Sequence, residues 1–185
     1  MESLQALLID DEERNWAAIE RRFQHPFQNL GWRVTWTFSS SVDEARRVFT
    51  LPGTQFDLVV VDLLHERDDG LAGYEPYGLE LIAEARERYP RAFVLALSTG
   101  EDRWPDIFQD AGRYGAHLVL RRVEFSTGSR HHNPEAVAKR IHDHLLDVGS
   151  LHPMTLTYDD FDPAIRAVVH EVREETRGGL DSRVL

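Results

Sequence analysis

The stretch LQALLIDD, residues 4–11, is a short apolar run that stops on two adjacent aspartates, and FDLVVVD, residues 56–62, repeats the pattern with one aspartate at its end. Runs this short, apolar at nearly every position, read as strands covered on both faces. In an open parallel α/β sheet, ligands and chemistry sit outside the carboxyl ends of the strands. Asp10, Asp11 and Asp62 are therefore expected at one such edge. Three carboxylates gathered there repel one another unless a cation or protons relieve the repulsion. Carboxylate oxygens at a site open to water are what Mg²⁺ prefers.

Outward from these two runs, strand-like and helix-like segments alternate, the sign of βα units around a parallel sheet. Trp16, Ile19, Phe23, Phe27 and Leu30 recur at helical spacing and predict a helix over Asn15 to Leu30, with Pro26 placed to kink it or end it early. WRVTWTF (residues 32–38) alternates and reads as a less buried strand. Ser41 is placed to cap a helix over Val42 to Phe49, and LPGT makes the turn after it. Phe56 to Val61 is expected at the sheet centre. There follow a polar, Gly-containing loop (HERDDGLAGYEP, residues 65–76), a helix over Gly78 to Tyr89, and a strand over Phe93 to Leu97. A helix beginning near Trp104 and Pro105, a strand over His117 to Arg121 and a helix opened by Pro134 complete five units. The expected fold is α/β, a doubly wound (βα)5 parallel sheet of the flavodoxin-like kind with an extra C-terminal helix.

The repeating units end near Gly149, which predicts one domain over residues 1–149. Residues 150–185 then hold a linker, HPMTLTYDDFDP, and an amphipathic helix over Ala164 to Arg177 with Ile165, Val168, Val169 and Val172 along one side. That stripe has three readings: packing back on the domain, a homodimer contact, or binding a partner.

With 185 residues, 42% of them hydrophobic, the chain has ample material for one core. A net charge of −11 argues against nucleic-acid binding, because that affinity comes largely from Lys and Arg neutralising phosphates. The absence of cysteine excludes disulfides, thiolate catalysis and Cys-type zinc sites, and fits a cytoplasmic protein. No basic region followed by an apolar stretch marks a targeting segment, and the apolar runs fall far short of the ~20 residues of a membrane helix. No membrane association is expected. His131, His132, His142 and His144 do not share a helix face and read as surface histidines; the four tryptophans read as packing residues.

The turns after the first, third, fourth and fifth strands carry Asp10-Asp11, Asp62, Ser98-Thr99 and Arg121-Arg122. Two carboxylates can hold Mg²⁺, a third can act as nucleophile through an aspartyl phosphate, a hydroxyl can bond a phosphoryl oxygen, and a cation can neutralise another. Asp10 and Asp11 also have a plainer reading as caps of the first helix.

In LLIDDEERN, FDLVVVD, ALSTG and GAHLVLRRV, set in (βα)5 order over about residues 4 to 148, the chain resembles the CheY-like receiver domains of two-component response regulators. The resemblance implies that Asp10 and Asp11 bind Mg²⁺, that Asp62 accepts a phosphoryl group and also faces the metal, and that Leu64 lends the metal a backbone carbonyl. It implies Ser98 as the switch hydroxyl, with Thr99 if the register slips by one. Arg122 stands where the family has lysine, and arginine keeps the charge with a different reach. Val119 stands near the family's aromatic switch position. Either Asp69-Gly70 or Tyr77-Gly78 matches the family's Asp-Gly, the second implying an insertion; Glu66, Asp68 and Asp69 add negative charge there.

The implied function is a signalling receiver, not a turnover enzyme: a histidine kinase or phosphotransfer protein supplies the phosphoryl group, and a downstream protein partner reads the result. The alternatives are a phosphorylation-independent receiver-like interaction module and, further off, a Mg²⁺-dependent phosphohydrolase.

Overall fold

The structure, a computed structural model, describes residues 2–66, 73–98, 104, 106–122, 125 and 133–150. Thr99, Asp68-Asp69-Gly70, Pro105, His131-His132, and the expected linker and C-terminal helix beyond residue 150 lie outside them.

In chain order the elements are β1 (Glu2–Ile9), α1 (Glu13–Asn29), β2 (Trp32–Ser39), α2 (Val42–Thr50), β3 (Leu58–Asp62), β4 (His65–Glu66), β5 (Tyr74–Glu75), α3 (Gly78–Arg88), β6 (Phe93–Ser98), α4 (Ile107–Arg113), β7 (Leu118–Arg121) and α5 (Pro134–Ser150). Five of the strands form one parallel sheet in the order β2-β1-β3-β6-β7. The chain steps outward from β1 to β2, then returns to place β3 on the other side of β1. The topological switch point, where open α/β sheets bind ligands, therefore lies between β1 and β3.

Both faces of the sheet are covered, which is why β3 and β6 are apolar up to their last residues, Asp62 and Ser98, rather than alternating. One face packs Leu4, Leu8, Val60 and Leu95 against Ile19, Phe23 and Phe27 of α1 and Val137 and Ile141 of α5. The other packs Leu7, Ile9, Val59 and Val61 against Ala45 and Phe49 of α2, Leu81 and Ile82 of α3, and Ile107 of α4. Ser41 caps α2 as its position predicts, its side chain accepting a bond from the Glu44 N–H. Pro26 does not end α1. Phe23 and Phe27 are fully buried on one face, and their packing carries the helix on to Asn29.

The polar loop after β3 contains an antiparallel pair absent from the sequence expectation, β4 with β5, in the register His65↔Glu75 and Glu66↔Tyr74.

His142 and His144 correct the expectation of surface histidines. The His142 ring lies 4.8 Å from the ring of Trp32, and His144 lies 5.3 Å from Phe93 and 4.4 Å from His117. The turn of α5 that carries them packs over strand ends rather than facing water. His117 Nδ1 accepts a bond from the Val94 N–H at 2.9 Å. Burial first, then Arg86 and His144, pushes the His117 pKa down to about 4. The unfolded chain takes up this proton first as the pH falls, so the stability His117 contributes is complete above about 6.5 and is lost toward about 4. For a half-buried ring the loss should be about 1–2 kcal/mol. Urea denaturation of the wild type and of His117→Asn, whose amide oxygen can still accept from Val94, checks this. The stability difference between the two should shrink from pH 7 to pH 4.5; a constant difference rejects it.

Candidate functional site

The register of the sheet assembles the site. Ile9 of β1 pairs with Val61 of β3, so Asp10 and Asp62 leave neighbouring strands at the same level. Asp62 pairs with Leu97, and Ser98 pairs with Arg121. Asp10, Asp62, Ser98 and Arg122 thus stand at the carboxyl ends of four consecutive strands. Carboxylate oxygens of Asp10, Asp11 and Asp62 lie within 4.8 Å of one another. Asp10, Asp62 and Ser98 are buried, at 0%, 7% and 1% exposure.

The first helix holds Asp10 in place. Its Oδ1 accepts from the Glu12 N–H at 3.0 Å and from Asn15 Nδ2 at 3.1 Å, and its carbonyl accepts from Trp16 Nε1 at 2.9 Å. Glu12, not Asp10 or Asp11, is the N-cap of α1 and no side chain caps it, so Oδ1 braces the turn ahead of the helix and the plain capping reading is not met. Oδ2 turns the other way, to Arg122 Nη2 at 2.8 Å.

The same Arg122 nitrogen lies 2.8 Å from Asp62 Oδ2. Asp62 Oδ1 is buried and has no hydrogen-bond partner among the described residues. Burial pushes the Asp62 pKa up to about 7; Asp10 and Asp11 push the same way, against Arg122 and a bond from the Leu64 backbone N–H. A buried carboxyl shifted in this way beside a charged partner is a candidate functional group.

Two neighbours shape the backbone beneath Asp62. His65 is 2% exposed, and its Nε2 donates to the Asp62 carbonyl at 2.9 Å. Gly78, the first residue of α3, lies flat on the end of β3. A Cβ there would run into the Asp62 carbonyl oxygen and come within 2.6 Å of Leu63 Cα. Gly78 of the Tyr77-Gly78 alternative thus stands against Asp62, while Asp69-Gly70 lies outside the described residues.

Sequence reasoning missed His65, whose signal was slight: one imidazole after the buried pair Leu63-Leu64, three positions beyond Asp62. Leu64 itself has a buried side chain. Val119 pairs with Ala96 and packs, partly buried, on the cluster that includes Trp104 of the segment before α4.

No family model and no curated protein matches the chain. Solved structures do. The structure is similar to a CheY-like response regulator receiver domain protein from Methanospirillum hungatei JF-1, with a TM-score of 0.55 and 15% identity over 80% of this chain and 98% of that one. The fold is that of a response regulator receiver domain. A receiver domain protein from Clostridium thermocellum gives a TM-score of 0.51 at 21% identity, over 80% of this chain and 98% of its own. A response regulator protein from Burkholderia pseudomallei, solved with a phosphorylated aspartic acid, a calcium ion and citrate, gives 0.50 at 20% identity, over 83% and 75%. On this receiver fold the acidic cluster falls at the switch point of the sheet. Among the described residues, no helix is long and apolar enough to cross a membrane.

Proposed function

We propose that the chain is a cytoplasmic two-component receiver that accepts a phosphoryl group on Asp62 and signals through protein contacts. The observation that carries this reading is the Asp62 carboxylate. It is buried at a strand end beside two further carboxylates, with Oδ2 held by Arg122 and Oδ1 without a hydrogen-bond partner among the described residues. A histidine kinase or phosphotransfer protein would supply the group from a phosphohistidine. An Asp62 oxygen forms the new O–P bond as the N–P bond breaks, the electron pair passes to the imidazole nitrogen, and that nitrogen takes a proton from solvent. Asp62 must be ionised to attack.

The donor set is all hard oxygen, and Asp62 Oδ1 is an acceptor with no partner among the described residues, so these residues fit Mg²⁺. Asp10, Asp11 and Asp62, with the Leu64 carbonyl, would hold it. When bound, the ion favours the ionised Asp62 and neutralises phosphoryl charge. Ser98, at the end of β6, would bond a phosphoryl oxygen, and Arg122 would pair with another. The domain over residues 1–149 would carry the switch, and the linker and amphipathic helix expected over residues 150–185 would pack back on it, meet a second copy or bind a partner. The Burkholderia pseudomallei structure supports the reading, as a similar fold holding both a phosphorylated aspartic acid and a divalent ion.

A second reading, a receiver-like interaction module that does not use phosphate, is favoured by Arg122, which already bridges two of the three carboxylates. The test is incubation with acetyl phosphate and Mg²⁺, followed by intact mass. One acid-labile phosphoryl group is expected on the wild type and none on Asp62→Asn. A folded wild type that stays unmodified gives the second reading the site.

A further inference from the structure

We propose that Arg122 is a tethered cation seated where a divalent ion must bind, so that Mg²⁺ enters the acidic centre only by displacing it. The inference rests on the receiver reading for the identity of the ion, and on the oxygen inventory of this chain for the rest.

One nitrogen, Arg122 Nη2, lies 2.8 Å from Asp10 Oδ2 and 2.8 Å from Asp62 Oδ2. A single positive nitrogen between carboxylates of two strands relieves the repulsion that a metal would otherwise relieve. The choice of oxygens makes the two cations exclusive. Asp10 Oδ1 is already committed to the Glu12 N–H and the Asn15 amide, bonds that set the start of α1. Asp10 therefore offers a metal its Oδ2, the atom that Arg122 holds. Asp62 Oδ1 faces the ion, but an ion that also takes Asp10 must take Oδ2 from the guanidinium. Two cations cannot share that oxygen without strong mutual repulsion at so short a separation.

Displacement is mechanically open. The Arg122 side chain is 17% exposed against 1% for Asp10, so it enters from the rim of the site and can leave the same way. Its backbone follows directly on β7, and Phe125, three residues on, is 1% exposed and anchored in the core against Phe23. The side chain can swing out while the strand stays. Arrival of the ion is thereby coupled to exposure of a guanidinium beside β7.

Calorimetric titration of Mg²⁺ into the full chain tests this, with wild type, Arg122→Ala and Arg122→Gln compared. The neutral glutamine preserves bulk if alanine fails to fold, which circular dichroism shows. Removing the tethered charge is expected to tighten Mg²⁺ binding at least tenfold. The melting temperature without divalent ion should fall in the variants and be restored by Mg²⁺, while the wild type responds weakly. Binding no tighter in the folded variants than in the wild type overturns the proposal, as does absence of binding in all of them. The acetyl phosphate assay separates this from the receiver reading. Tighter Mg²⁺ binding with no phosphate on Asp62 in any protein sinks the signalling function and leaves displacement standing. Phosphate on Asp62 with unchanged Mg²⁺ affinity does the reverse.

Discussion

Replacing Gly78 with alanine is expected to destabilise the domain by about 3 kcal/mol, the upper range for forcing an extra carbon into a packed site. The sign makes this informative. Glycine to alanine at a solvent-facing helical position stabilises, by up to about 1 kcal/mol. At Gly78 the added Cβ would meet backbone, namely the Asp62 carbonyl oxygen and Leu63 Cα, the latter at 2.6 Å. Buried backbone at the end of a central strand cannot rotate away as a side chain can. The first turn of α3 must lift, and the Gly78 N–H to Leu63 carbonyl bond of 3.2 Å lengthens with it. Because the Asp62 carbonyl also takes a bond from His65, the damage should reach the carboxylate of the same residue. Urea denaturation measures the effect, and a variant as stable as wild type refutes the close approach.

Phe23→Ala should cost about 3–5 kcal/mol, the usual range for a fully buried aromatic reduced to alanine. Phe23 has no exposure, and its ring centroid lies 5.3 Å from Phe27, 6.1 Å from Trp36 and 5.1 Å from Phe125. It therefore joins α1, β2 and the segment just after Arg122. Phe23→Leu, which refills much of the space, should cost well under half as much. Equal losses for the two variants in urea denaturation would mean that ring contacts rather than volume hold this cluster. Loosening Phe125 should also free Arg122, so Phe23→Leu is expected to bind Mg²⁺ at least as tightly as wild type in the same calorimetric titration.

The strands were the legible part of the fold. Each inner strand announces itself as four to six apolar residues, because a strand covered on both faces has no polar side to show. Aspartate at the end of such a run marks where the apolar strand stops, and Asp10 and Asp62 do stand at the ends of β1 and β3, though both are buried there. The caps were legible where they are local, as at Ser41, and the end of α1 was not, because burial of Phe23 and Phe27 outweighs the local effect of Pro26. The β4–β5 pair escaped notice because two-residue strands carry no period to read. His144 read as surface because its partners Phe93 and His117 lie far away in the chain.

By itself the sequence determined the βα order, the covered parallel sheet and the gathering of carboxylates at its edge, since all three follow from periodicity and from where apolar runs end. Only the tertiary structure decided that Gly78 closes on Asp62, that His65 turns inward beneath it, and that one nitrogen of Arg122 bridges Asp10 and Asp62. Those are contacts between residues as much as 112 positions apart, set by strand order and by side-chain reach across three strands. A local pattern records which residues point to an edge; it holds no information about which of them touch there.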